Sequence, residues 1–162
     1  MRILVLSDTH IPRAAHALPD IIIDEIQKSD MVLHAGDFIE EEVYALIIRS
    51  KVEFHAVRGN MDSPELRRQL KDKEVITVGK FNIGLVHGYG PPKDLIQTVK
   101  QEFKDVDAIV FGHSHSATNI KKDGILFFNP GSPTDTIFAS TNTYGILDVT
   151  DKGIEGTIVR LR

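Results

Sequence analysis

Seven side chains able to ligate metal ions fall in five short segments: Asp8 with His10, Asp37, Asn60, His87, and His113 with His115. The set mixes carboxylate and amide oxygen with imidazole nitrogen. That mixture suits manganese, iron or zinc better than calcium, which takes oxygen ligands. A carboxylate shared between two such cations holds them roughly 3.5–4 Å apart. A pair of this kind binds phosphoryl oxygens and a bridging hydroxide, lowers the pKa of the attacking water and neutralises charge in an in-line transition state. Taken singly, each residue has an ordinary reading. An aspartate caps a turn, a histidine packs, and an asparagine after glycine makes a turn. The signal lies in the five segments together.

Each segment follows a short apolar run that reads as a strand. Residues 3–6 precede Asp8, 31–33 precede Gly36-Asp37, and 52–57 precede Gly59-Asn60. Residues 81–86 precede His87, and 108–111 precede Gly112-His113-Ser114-His115. Strand carboxyl ends form the ligand crevice of open α/β sheets, so five loops deliver these side chains to one edge. Helical spacing marks residues 20–28 and 40–49, and Ser63-Pro64 opens another helix as a cap followed by a first-position proline. These β-α repeats predict a parallel sheet. The second half reads differently. Gly79-Lys80 joins a hairpin, residues 93–103 form a helix, and Asp123-Gly124 and Lys152-Gly153 punctuate short strands. The expected architecture is two packed sheets with helices outside them, in one domain over residues 1–162.

The ordered pattern D-x-H, G-D, G-N-x-D, a lone H and G-H-x-H resembles the calcineurin-like metallophosphoesterase superfamily. Here it reads Asp8/His10, Gly36/Asp37, Gly59/Asn60/Asp62, His87 and Gly112/His113/His115, and Asn129-Pro130-Gly131-Ser132 extends it. The chain's small size and that last segment look like the compact bacterial and archaeal phosphodiesterase branch. The resemblance implies an α/β fold, a four-layer αββα sandwich with two mixed β-sheets flanked by helices. It implies that Asp8, His10 and His115 bind one metal, that Asn60, His87 and His113 bind a second, and that Asp37 bridges. Asp37, Asn60 and His87 are then the expected catalytic residues. Two divalent transition-metal ions are the expected cofactors, manganese first, with nickel, iron or zinc as alternatives. A homodimer is also expected on this ground.

Two departures narrow the activity. Many relatives carry, after the G-N, a histidine that protonates the leaving group; here Met61 stands there and transfers no proton. The protein phosphatase branch places an arginine soon after its G-D, whereas this chain reads Gly36-Asp37-Phe38-Ile39-Glu40. The expectation is hydrolysis of small phosphodiesters with good leaving groups. The rival is a protein-binding scaffold of the same fold, as one retromer subunit is. Loss of a ligand would favour the scaffold, and all seven positions are intact. His16 and His55 match no motif and receive no site role. His34 is a candidate for supporting hydrogen bonds, Asp62 for orienting its loop, and Arg58 for either phosphate contact or the surface.

Composition bounds the rest. The 162 residues are 41% hydrophobic and 26% charged, as in an ordinary globule with a real core. The net charge of −4 comes without any basic block, so a sequence-independent grip on nucleic acid is not expected. No apolar run approaches the roughly 18 residues of a membrane span. Cysteine is absent, which removes disulfides and thiolate chemistry and suits a reducing cytoplasm.

Overall fold

The computed structural model describes residues 1–161. Strand β1 (Arg2–Leu6) leads through helix α1 (Asp20–Lys28) to β2 (Met31–His34), and α2 (Glu41–Ser50) leads to β3 (Glu53–Ala56). Helix α3 (Pro64–Gln69) starts where Ser63 accepts a hydrogen bond from the Leu66 amide at 3.3 Å, as its Ser-Pro start predicts. The hairpin β4 (Lys73–Val78) and β5 (Phe81–Val86) follows, then α4 (Leu95–Gln101) and β6 (Ala108–Val110). The predicted 93–103 helix is shorter than expected, because Pro92–Asp94 forms a 3-10 turn ahead of it. The chain continues through β7 (Thr118–Lys122), β8 (Ile125–Asn129), β9 (Thr143–Thr150) and β10 (Gly153–Arg160).

Two five-stranded mixed sheets result, in the orders β10-β9-β1-β2-β3 and β4-β5-β6-β8-β7. The β-α repeats make β1, β2 and β3 parallel, and β9 joins the other side of β1 antiparallel. In the second sheet β5, β6 and β8 run parallel.

The period of two along a strand assigns each buried side chain to one face. Ile3 and Val5 of β1 and Leu33 of β2 point between the sheets, where they meet Ile83, Leu85, Val110 and Phe128. Leu4, Leu6 and Val32 point the other way, onto Ile22 and Ile26 of α1 and Val43 and Ile47 of α2. On the far side of the second sheet, Ile109, Phe111 and Phe127 pack on Leu95 and Val99 of α4. Three apolar layers therefore separate helix, sheet, sheet and helix, which is the αββα sandwich. Each fully buried aliphatic side chain contributes about 1.5–3 kcal/mol. The sheets approach closely where the Phe128 ring lies over Gly145 of β9, since a side chain at that glycine would overlap the ring. Among the described residues, no helix is long and apolar enough to cross a membrane.

Candidate metal centre

The parallel strands β1, β2 and β3 of one sheet and β5 and β6 of the other end at a common edge, and all seven predicted residues meet there. Asp8 is fully buried just beyond β1. Its Oδ2 accepts hydrogen bonds from Ser7 Oγ at 2.7 Å and from the His113 amide at 3.1 Å. Its Oδ1 faces inward, 3.3 Å from His115 Nε2 and 3.8 Å from His10 Nε2. Asp37 is divided in the same way. Oδ1 accepts from the Met61 amide at 2.7 Å, while Oδ2 lies 3.4 Å from both His10 Nε2 and His87 Nε2.

The imidazoles are aimed by their other nitrogens. His87 Nδ1 donates to the Ala35 carbonyl at 2.7 Å, which turns Nε2 inward, 3.1 Å from Asn60 Oδ1. His113 Nε2 donates to the Gly90 carbonyl at 3.1 Å, which leaves Nδ1 3.2 Å from the same Asn60 oxygen. His115 Nδ1 donates to the Asp135 carboxylate, so Nε2 is the atom turned to Asp8. A second partner that fixes tautomer and ring direction is the usual support of a metal-ligating histidine.

The fields of these groups reinforce one another. Burial alone would lower His10, but contacts with Asp37 and Asp8 raise it to about 9. Burial likewise opposes charge on His87, and Asp37 and Asp8 raise it to about 9. His115 is raised by Asp8 and Asp135 against its own burial. Burial would raise both carboxyls, yet the imidazoles hold Asp8 and Asp37 well below the ordinary carboxylate range. Each raised imidazole and each lowered carboxyl thus favours its charged form beside the other.

A divalent cation fits this set better than protons do. Asp8 Oδ1 and His10 Nε2 are buried and have no hydrogen-bond partner among the described residues. One donor atom from each of Asp8, His10, Asp37 and His115 lies within 4.8 Å of all the others, a candidate metal-binding cluster. An unpaired buried acceptor costs about 1–3 kcal/mol, and a cation at that point would satisfy it.

Supporting residues lock the loops. Asp62 is buried and accepts four backbone N–H bonds, from Asp37, Phe38, Ile39 and Gly59, at 3.3, 2.6, 3.1 and 2.6 Å. It therefore ties the Asp37 loop to the Asn60 loop, the orienting role its position predicts. A side chain at Gly59 would overlap the Asp37 carboxylate, so only glycine lets these loops touch. His34 accepts the Gly36 amide at Nδ1 and meets Thr9 Oγ1 from Nε2 at 3.2 Å. Complete burial lowers its pKa to about 3, so it is a neutral brace between the first two loops. Asp8, His10, Asp37, His113 and His115 all have positive φ, between 46° and 67°. That left-handed backbone is uncommon outside glycine, and its concentration here marks a site held by its surroundings.

The remaining candidates separate cleanly. His16 is exposed, and His55 lies between Glu53 and Glu74, away from the centre. Arg58 pairs with Asp72 at 2.6 Å and donates to the Arg67 carbonyl, and it lines a neighbouring cleft. Asp135 has no counterpart in the sequence reading. Besides holding His115, its carboxylate accepts the amides of Ile137, Phe138 and Ala139. The available signal was the spacing Ser132-x-x-Asp135, since Ser132 Oγ accepts the Asp135 amide at 2.9 Å in a capping-box manner without a helix.

The sequence matches the model of the calcineurin-like phosphoesterase superfamily domain over residues 1–152. A probable metallophosphoesterase of Methanocaldococcus jannaschii is 34% identical over 137 residues, covering 83% of this chain and 69% of that one. Vps29 from Entamoeba histolytica, solved in complex with zinc, superposes with a TM-score of 0.74 at 27% identity, over 99% of each chain. A structure described as a novel archaeal phosphodiesterase gives 0.75 at 26% identity, over 99% of this chain and 100% of that one.

Proposed function

The chain belongs to the calcineurin-like phosphoesterase superfamily, and we propose that it is a phosphodiesterase working with two divalent transition-metal ions, manganese first among them. The observation that carries this reading is the single Asp37 oxygen set 3.4 Å from an imidazole nitrogen on either side, His10 and His87. In this reading Asp8, His10 and His115 hold one ion, Asn60, His87 and His113 hold the other, and Asp37 serves both. When bound, the ions supply Lewis acidity, which makes water nucleophilic near neutral pH and offsets charge on the phosphoryl oxygens.

The chain's own groups set the geometry and the selectivity. Asp62 and His34 fix the loops, so the donor atoms are placed before substrate arrives. Asn60 is neutral and exposed, which puts the less negative side of the centre where an anionic ester approaches. Met61 is 40% exposed in the cleft and offers the departing oxygen no proton. Leaving groups stable as anions are therefore favoured. Arg58, the arginine nearest Asn60 in sequence, is committed to Asp72 and a backbone carbonyl. A dianionic monoester gains little there, and a monoanionic diester is the better match.

The test is a comparison of bis(4-nitrophenyl) phosphate with 4-nitrophenyl phosphate, using metal-stripped protein refilled with manganese. The diester should turn over faster, with two ions bound per chain at saturation. A protein that binds two ions and hydrolyses neither ester would instead be a scaffold of the same fold.

A further inference from the structure

Two clefts meet at Asn60, and they differ in character. One, about 640 Å³, carries Arg58, Arg67 and Lys73 with Asp72 and Glu102. The other, about 580 Å³, is lined by His10, His113 and His115 together with Met61, Ile137 and Phe138. Ile137 is 80% and Phe138 74% exposed. Single exposed apolar residues are ordinary, but an adjacent pair sharing a cleft with Met61 beside a polar centre forms a patch of the kind that marks ligand sites.

The pair is also held in place. Ser132 Oγ donates to the Asp8 carbonyl at 2.7 Å, and Thr134 Oγ1 donates to the Thr9 carbonyl at 2.5 Å. The Asp135 carboxylate then receives the Ile137 and Phe138 amides at 2.8 and 3.0 Å. The Phe138 ring stands nearly perpendicular to the His115 ring, with centroids 5.6 Å apart. The backbone that carries this exposed aromatic ring is thus held beside the centre by bonds that run back to the Asp8 loop. A flat ligand group stacked there would bury apolar surface on both partners, and aromatic pairs add about 0.5–1.5 kcal/mol beyond burial.

We propose that Phe138 and Ile137, with Met61, bind an aromatic ester group of the substrate, so that the preferred substrates are phosphodiesters carrying at least one aryl or heteroaryl arm. This rests on the phosphodiesterase reading and names its substrate class. The aromatic arm occupies the apolar cleft, and the charged cleft on the other side of Asn60 takes the polar remainder.

The experiment measures inhibition of bis(4-nitrophenyl) phosphate hydrolysis by diphenyl phosphate and by diethyl phosphate, in wild type, Phe138→Ala and Phe138→Tyr. Wild type should bind the diphenyl ester about tenfold more tightly than the diethyl ester. Phe138→Ala should bring that ratio to within about threefold, and Phe138→Tyr should restore it. Binding is also followed directly by amide chemical shifts, with residues 136–139 expected to respond to diphenyl phosphate and not to diethyl phosphate. A preference unchanged by Phe138→Ala, or wild type with no preference, overturns the proposal. If no diester is hydrolysed, the phosphodiesterase reading fails separately. The shift measurement then still decides whether the cleft takes an aromatic ester.

Discussion

In the proposed two-metal centre, the half formed by Asp8, His10 and His115 joins a fully buried carboxylate at the end of β1 to two imidazoles that line the apolar cleft, whereas in the half formed by Asn60, His87 and His113 the exposed Asn60 lines both clefts and His87 is buried. The first half owns a fully buried carboxylate, Asp8, and its histidine His115 is backed by a second carboxylate, Asp135. The second half owns no carboxylate. Asn60 and the carbonyls of Ala35 and Gly90 surround its two imidazoles, and it shares the charge of Asp37. Coulomb attraction grows as charges leave water, so the first half should hold a cation tightly and the second more loosely. In the proposed reading the first side would anchor its ion, and the second would exchange its ion more readily.

The change that breaks both halves at once is Asp37→Asn, which keeps size and removes the shared charge. It should lower diester turnover roughly a thousandfold or more and lower the saturated metal content. Steady-state kinetics and elemental analysis check it. His87→Ala reaches only the half that has no carboxylate of its own. Turnover should fall on the order of a hundredfold, with one ion retained, and Asn60→Ala should weaken the same ion. The double variant should lose less than the product of the two single effects, because both residues serve one unit. His55→Ala, outside both halves, is the matched control and should stay within about threefold of wild type.

Asp135→Asn sharpens the contrast from the carboxylate-rich side. It leaves His115 in place but takes away its backing carboxylate, so affinity for the tighter ion should drop roughly 10–100-fold with the looser ion little changed. A calorimetric manganese titration would show whether the two events move together, which would argue against separate halves.

A smaller effect concerns the metal-free protein. His10 and His87 are raised from 6.5 to about 9, so their contribution to stability is complete below pH 6.5 and is lost as pH rises through about 9. His34 is lowered to about 3, so its contribution is complete above pH 6.5 and shrinks as pH falls toward 3. Asp8 and Asp37, lowered from 3.8, add a further loss below that pH. Denaturant midpoints of the metal-stripped protein should therefore peak near pH 6.5 and fall on both sides. A midpoint that keeps rising from pH 6.5 to 9 would contradict the protonated state of the two rings.

Much of the fold and of the site is legible in the sequence. The strands before Asp8, Asp37 and Asn60 alternate with amphipathic helices, and local pattern suffices to predict a parallel sheet whose ends gather the loops. The short turn Ser63-Pro64 carries its own chemistry, and it starts α3 as expected. Pairing over long separations was not legible. The hairpin of β9 and β10 reads as two strands, but nothing local says that β9 lies beside β1, with Leu4 opposite Ile146. Asp135 was hidden for the same reason. Its importance comes from His115, twenty residues earlier, and from amides that converge only once the 132–139 loop folds back over the Asp8 loop. The exposure of Ile137 and Phe138 is likewise a property of that loop's path.

In the proposed centre one carboxylate, Asp37, joins two unequal metal sites. This arrangement is tested most directly by titrating metal-stripped protein with manganese while following the spin-resonance spectrum, with elemental analysis at saturation. Two successive binding events are expected, with a final content of two ions per chain and a spin-coupled signal that appears only as the second ion enters. Saturation at one ion, or two ions without coupling, would contradict it.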